Sequence, residues 1–254
     1  MEMIYQYAQN YHKKNKKRAF ATAVFYGKLL KIVYDASRVA LAGQYSNERW
    51  VYDSVLVGRA MESIGADIII EGHENITTLN KPCVFVANHM STLETFFLPG
   101  IIQPVCNHTF VVKESLLKYP MLGPVLKAEN PIVVTRTNPR HDLAVVLEEG
   151  QKKLANGESI IIFPQGTRKP EVKAEDFSSL GVKLAKKANA PIIPVALNTK
   201  AWGTSSITKD FGPINPNIPI RITFGEPLEI ISNNGKEEHQ KCVDFIVSTY
   251  NSFL

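Results

Sequence analysis

The sequence predicts an α/β protein, with a largely parallel, mixed sheet flanked by helices and an N-terminal helical segment suited to a membrane surface. Three observations carry this prediction. Short β-branched runs recur from residue 66 onward, helical patterns separate them, and most runs are apolar throughout, as strands are when helices cover both sheet faces. The runs are "ADIIIEG" (66–72), "KPCVFVAN" (81–88), "HTFVVK" (108–113), "PIVVTR" (131–136), "ESIIIFP" (158–164) and "APIIPVAL" (190–197). A last strand is expected in "IRITFGEPLEI" (220–230), after the Pro-rich loop "GPINPNIP". Pro, Gly and Asn bound these segments, and "HENITTLN" (73–80) reads as a turn. The clearest intervening helices run from Asp142 to Ala155 and from Phe177 to Ala188, and another should close the chain.

Ahead of the first strand, helix is expected over residues 2–64, broken near Gly43–Asn47, with a second helix from Asn47 to Ile64. The organisation that follows is an N-terminal basic amphipathic segment (1–64) and an α/β domain (65–254). The charge is placed unevenly. Residues 1–38 hold Lys13, Lys14, Lys16, Lys17, Arg18, Lys28, Lys31 and Arg38 against Glu2 and Asp35, a net +6, so the rest of the chain carries −1 of the +5 total. Such an arm points to an anionic partner. Nucleic acid is excluded because no reading motif or basic stripe accompanies the arm. A membrane leaflet fits better: Leu29, Ile32, Val33, Ala36, Val39 and Ala40 fall at helical spacing with Lys28, Lys31, Asp35 and Arg38 between them. The other reading of the same pattern is a helix that packs on its own domain with a solvated charged face.

With 254 residues and 44% hydrophobic content, the chain can bury a large core. Cys83, Cys106 and Cys242 have no paired spacing, so they read as reduced thiols rather than a metal knuckle or disulfide frame. The longest stretch without Asp, Glu, Lys or Arg, Thr95–Val112, is interrupted by Pro99, Gln103, Pro104, Asn107 and His108, so it is not expected to span a bilayer. Nor does the N-terminus read as a secretory signal, since Lys28 breaks the apolar stretch that follows the basic cluster. A peripheral protein on the cytoplasmic face of the inner membrane is expected.

Chemistry in such sheets gathers where strands give way to loops. Four segments fall there: "NHMSTLE" (88–94), "KESLLKYPMLG" (113–123), "FPQGTR" (163–168) and "PVAL" (194–197). In this order and at these separations they resemble the blocks of the glycerolipid acyltransferase superfamily, which includes the bacterial 1-acyl-sn-glycerol-3-phosphate acyltransferases. The resemblance runs from about Gly65 to Leu197 and extends weakly to "ITFGEPL". It implies transfer of a fatty acyl group from a thioester, on acyl carrier protein or coenzyme A, to the hydroxyl of lysophosphatidic acid, giving phosphatidic acid. Another lysolipid could be the acceptor instead, or the chain could be a lipid-binding pseudoenzyme. A serine hydrolase is disfavoured because no "GxSxG" elbow occurs.

Within that resemblance His89 is the base that takes the hydroxyl proton, and an imidazole, with an ordinary pKa of about 6.5, suits the task. Glu94 would orient the ring and stabilise the imidazolium. Neither metal nor cofactor is required. Geometry limits how the two can meet: five residues along a continuous helix turn the side chains about 140° apart, so His89 must stand before the helix and Glu94 in its first turn. A second role competes for the acid, because "STLE" (91–94) matches a capping box that accounts for Glu94 without chemistry. The superfamily usually has Asp at this position. Lys113, Arg168 and, more weakly, Arg136 are implied as contacts for the acceptor phosphate, with Gly166 and Thr167 letting amides and a hydroxyl approach it. Gln165 stands where the family usually has Glu, a change expected to shift acceptor preference or weaken an ion pair of Arg168. Phe96, Phe97 and Leu98 are acyl-groove candidates, and the remaining histidines are expected to be ordinary.

Overall fold

The computed structural model describes Tyr7 and residues 10–16, 19–205 and 210–254. Part of the helix expected from residue 2, with Lys17 and Arg18, lies outside the described residues. Eight strands among the described residues form one sheet: β1 (Tyr11–Lys13), β2 (Ile68–Glu71), β3 (Val84–Ala87), β4 (His108–Lys113), β5 (Ile132–Val134), β6 (Ser159–Ile162), β7 (Ile192–Asn198) and β8 (Ile220–Phe224), in the order β1-β2-β8-β7-β3-β6-β4-β5. The block β7-β3-β6-β4-β5 is parallel throughout, while β8 runs antiparallel to β7 and β1 antiparallel to β2. A largely parallel mixed sheet is therefore present.

The helices are α1 (Ala21–Leu41), α2 (Asn47–Ser63), α3 (Glu74–Thr77), α4 (Leu93–Phe97), α5 (Pro99–Ile102), α6 (Leu122–Ala128), α7 (Pro139–Ala155), α8 (Leu180–Ala188) and α9 (Lys236–Ser252). They cover both faces of the sheet. Phe85 and Ala87 of β3, Ile161 and Ile193 face a core shared with Phe25, Val55, Met61 and Phe97 of α1, α2 and α4. Val84, Val86, Ile160 and Ile162 face the opposite core, with Val146, Leu184 and Ile246 of α7, α8 and α9. Because successive side chains of a strand point to opposite faces, burial on both sides favours apolar residues at nearly every position, with polar ones such as Ser159 and Asn198 only at the strand ends. This is why β3, β6 and β7 read as continuous runs.

Two local expectations are corrected. Tyr11–Lys13 is strand rather than helix, pairing with Ile68–Ile70 along what would otherwise be the open edge of β2; tertiary pairing overrides the local pattern. "HENITTLN" holds the short helix α3 rather than only a turn. The apolar stripe of α1 is also placed differently from an interfacial face: Leu29 and Ala36 are buried against the protein, while Leu30, Tyr34 and Leu41 are exposed. No helix among the described residues is long and apolar enough to cross a membrane. Cys83 and Cys242 are buried free thiols, and burial pushes the Cys242 group up to about 12.

Candidate active site

Strand β3 ends at Ala87, and the next side chain, Asn88, is fully buried. Its Nδ2 donates to Leu197 O at 2.9 Å and its Oδ1 accepts from Leu197 N at 2.8 Å, so a side-chain amide fastens the end of β3 to β7. His89 follows in the bend before α4. Its amide donates to Gln165 Oε1 (2.6 Å), its carbonyl accepts from Lys169 N (2.8 Å), and its ring stacks on Phe163 at 4.3 Å. The "FPQGTR" loop thus clasps the peptide and the ring of His89 together.

Glu94 lies in the first turn of α4, so the arrangement required by the five-residue spacing is met. Its carboxylate is 0% exposed. Oε1 accepts from His89 Nδ1 (2.9 Å), Met90 N (2.6 Å) and Ser91 N (2.9 Å), and Oε2 from Ser91 Oγ (2.8 Å) and Thr199 Oγ1 (2.6 Å). The two roles weighed for this acid coexist: it returns to the Ser91 amide as a capping box requires, and it holds the imidazole. An ionised carboxylate only accepts, so Nδ1 carries a proton, and in the neutral ring the lone pair is therefore on Nε2. Nε2 has no hydrogen bond among the described residues, and the side chain is 18% exposed.

Burial by itself raises the Glu94 carboxyl, but the His89 ring, the Thr199 hydroxyl and the Ser91 amide outweigh it and hold the group below the ordinary carboxylate range. The folded value thus lies below the unfolded one. Glu94 therefore contributes stability above the ordinary glutamate value of about 4.3, and that contribution is lost as pH falls from there through the folded value. The stability difference between wild type and Glu94→Gln is expected to narrow as pH falls from about 5 to about 3, measured by denaturant unfolding. A constant gap would show that Glu94 does not carry the acid limb.

The cations implied for phosphate binding are placed unequally. Lys113 ends β4, paired with Val134, and is exposed. Arg136 follows β5 with φ 64°, and a Cβ built on Gly166 would lie 2.9 Å from its Nη1. Gly166, at φ 73°, therefore suits both its own backbone and the arginine beside it. Thr167 is exposed next to it. Arg168, 22% exposed, pairs through Nη2 with the Asp210 carboxylate and donates from Nη1 to Thr92 Oγ1 at 2.6 Å. The ion-pair partner of Arg168 is thus Asp210, while Gln165 holds the His89 amide and leaves its Nε2 buried without a partner.

The groove expectation is corrected for two of three residues. Phe97 and Leu98 are buried in the core, Phe97 edge-on to Tyr7 at 4.9 Å, and only Phe96 keeps partial exposure, stacked on Trp202. His73 and His108 are buried rings, and burial lowers His108 to about 3, so it stays neutral beside Trp50. Thr199 and Asp210 also belong to this site. Thr199 stands two residues beyond "PVAL" and Asp210 in a loop 42 residues from its arginine, so neither carries a local signal.

A family model described as Acyltransferase matches residues 67–198, just over half of the chain and all four segments of the site. The chain belongs to the acyltransferase family. A curated relative from Pseudomonas aeruginosa, named 1-acyl-sn-glycerol-3-phosphate acyltransferase, is 35% identical over 75% of this chain and 73% of its own. One of the same name from Saccharomyces cerevisiae is 28% identical over 71% of this chain and 57% of its own. The crystal structure of the 1-acyl-sn-glycerophosphate (LPA) acyltransferase PlsC from Thermotoga maritima shares the fold, with a TM-score of 0.67 at 22% identity over 91% of this chain and 94% of that one. In this acyltransferase three of the four segments begin at or just past the carboxyl ends of β3, β4 and β6, neighbours in the parallel block of the sheet, while "PVAL" lies within β7 itself.

Proposed function

We propose that this acyltransferase moves a fatty acyl group from an acyl thioester, on acyl carrier protein or coenzyme A, to the free hydroxyl of lysophosphatidic acid, forming phosphatidic acid. The observation that carries this reading is the His89 ring, held through Nδ1 by a buried carboxylate with Nε2 unoccupied, beside a loop that presents Arg168. Nε2 takes the hydroxyl proton as the oxygen attacks the thioester carbonyl. The tetrahedral adduct then expels the thiolate, which receives the proton from the imidazolium; no cofactor takes part. Glu94 stabilises the imidazolium between these steps, and Arg168, with Arg136, Lys113 and the Gly166–Thr167 turn, receives the phosphate.

Purified protein given acyl thioester tests this through free thiol release. Release that depends on added lysophosphatidic acid is the expected result. Saturable lipid binding without release would instead identify a pseudoenzyme, and release without acceptor a hydrolase.

Peripheral attachment to the cytoplasmic face of the membrane belongs to the same reading. Leu30, Tyr34 and Leu41 lie on one side of α1 at helical spacing, with Lys28, Lys31 and Arg38 nearby in sequence, the composition of an interfacial face. Leu30→Asp with Leu41→Asp is expected to reduce flotation with anionic vesicles by about tenfold or more, since two exposed leucines no longer enter the interface. Undiminished flotation would remove α1 as the contact.

A further inference from the structure

Arg168 is held by more than its own loop. Its Nη2 meets Asp210, and its Nη1 donates to the Thr92 hydroxyl, which itself donates to Asp210 O at 3.1 Å. The same carbonyl accepts from Trp202 Nε1 at 3.1 Å. Beyond Asp210 the chain reaches α1: Gly212 O accepts from the Tyr26 hydroxyl at 2.6 Å, and Ile214 N donates to Thr22 Oγ1 at 3.0 Å. Trp202 completes the connection, edge-on to Phe25 and Tyr26 of α1 and stacked on Phe96 of α4.

We propose that Asp210 is a positioning residue for Arg168 in acceptor binding, and that residues 210–214 fasten this arginine to α1. The proposal rests on the reading that Arg168 receives the acceptor phosphate. An arginine on a free stem loses considerable rotamer freedom when it grips an anion, and one already fixed does not lose it again on binding. Two of the five N–H groups of Arg168 are engaged, by Asp210 and Thr92, which leaves three for phosphate oxygens.

A carboxylate on a guanidinium could also act as a competitor that the phosphate must displace. The main chain decides against this. Asp210 O is gripped by Thr92 and by Trp202, so the residue is anchored where it stands, and its carboxylate is a fixed part of the arginine's surroundings. The pair is only partly exposed, 22% for Arg168 and 29% for Asp210, so water does not fully take over the interaction when it is cut. Tyr26 contributes at a distance. Its hydroxyl touches neither Arg168 nor the His89–Glu94 pair in any bond described above, yet it sets the position of Gly212, two residues from Asp210.

Steady-state kinetics of the full-length protein with acyl thioester and lysophosphatidic acid test this on Asp210→Asn, Asp210→Glu and Tyr26→Phe. Asp210→Asn is expected to raise KM for lysophosphatidic acid about tenfold with kcat changed less than about threefold, the pattern of lost binding that is shared by ground and transition states. Asp210→Glu, which keeps the charge, restores most of the loss. Tyr26→Phe raises KM by about two- to threefold, and the double variant with Asp210→Asn is no worse than Asp210→Asn alone, because both act through one segment. An unchanged KM, a fall in kcat alone, or a fall in KM for Asp210→Asn overturns the proposal; the last would mean the carboxylate competes with the phosphate. Should Asp210→Asn not fold, Tyr26→Phe decides by the same KM criterion, with Asp210→Glu as the variant expected to stay near wild type. If wild type releases no thiol, the acyl-transfer reading fails by itself, and calorimetric binding of glycerol 3-phosphate, weakened or unchanged in Asp210→Asn, decides the positioning role separately.

Discussion

His89→Ala lowers kcat for acceptor-dependent thiol release by about 10²–10⁴, the share of a rate that a positioned proton acceptor supplies. The folded structure should survive the change. The lost ring stacks on Phe163 and gives Glu94 one of five donors, so the expected stability cost is about 1–3 kcal/mol, read from denaturant unfolding beside the kinetics. KM for lysophosphatidic acid stays near its wild-type value, because the cations proposed to receive the phosphate, Lys113 at the end of β4, Arg136 after β5 and Arg168 after β6, do not include His89. A variant that keeps rate within threefold of wild type would end the base assignment, whatever its stability.

Glu94→Gln separates the two roles of the acid. The amide has the carboxylate's shape, but one of its ends donates. With its oxygen at the Oε1 position it still accepts from His89, Met90 and Ser91, while the Ser91 and Thr199 hydroxyls can rotate to accept from the new NH₂. Folding is therefore weakened by about 1–3 kcal/mol, the range for bonds to a charged acceptor. The rate falls much further, by about 10²–10⁴, because an imidazolium formed beside a neutral amide lacks the opposing charge that a carboxylate supplies. If Glu94 served only to cap α4, stability would fall and the rate would stay within a few-fold of wild type. Thiol release and urea midpoints measured on one preparation distinguish the outcomes.

The fold was legible to the extent that burial leaves a periodic trace. Val84–Ala87, Ser159–Ile162 and Ile192–Asn198 are buried at every position, and a run apolar throughout announces a strand with helices on both faces. Tyr11–Lys13 left no such trace. It is an edge strand of three residues, two of them exposed, and it exists because β2 offers unpaired backbone groups in register. Phe97 and Leu98 are illegible for a related reason: an apolar residue beside a site suits a groove and a core equally well in sequence, and only packing, as of Phe97 against Tyr7, separates them.

The amino-acid sequence by itself determined the strand-and-helix alternation, the four segments that carry the family, and the His89–Glu94 spacing that requires a bend between them. Those features rest on short separations, where backbone geometry fixes what neighbouring residues can do. Only the tertiary structure decided that Glu94 both caps α4 and holds His89, that Thr199 closes its coordination from β7's end, that Gln165 binds a main-chain amide, and that Arg168 is paired with Asp210. The contacts of Thr199, Gln165 and Asp210 each join a side chain to a partner in the segment after another strand, whereas His89 and Glu94 share the junction between β3 and α4; where such segments converge is a property of strand order that no local pattern encodes.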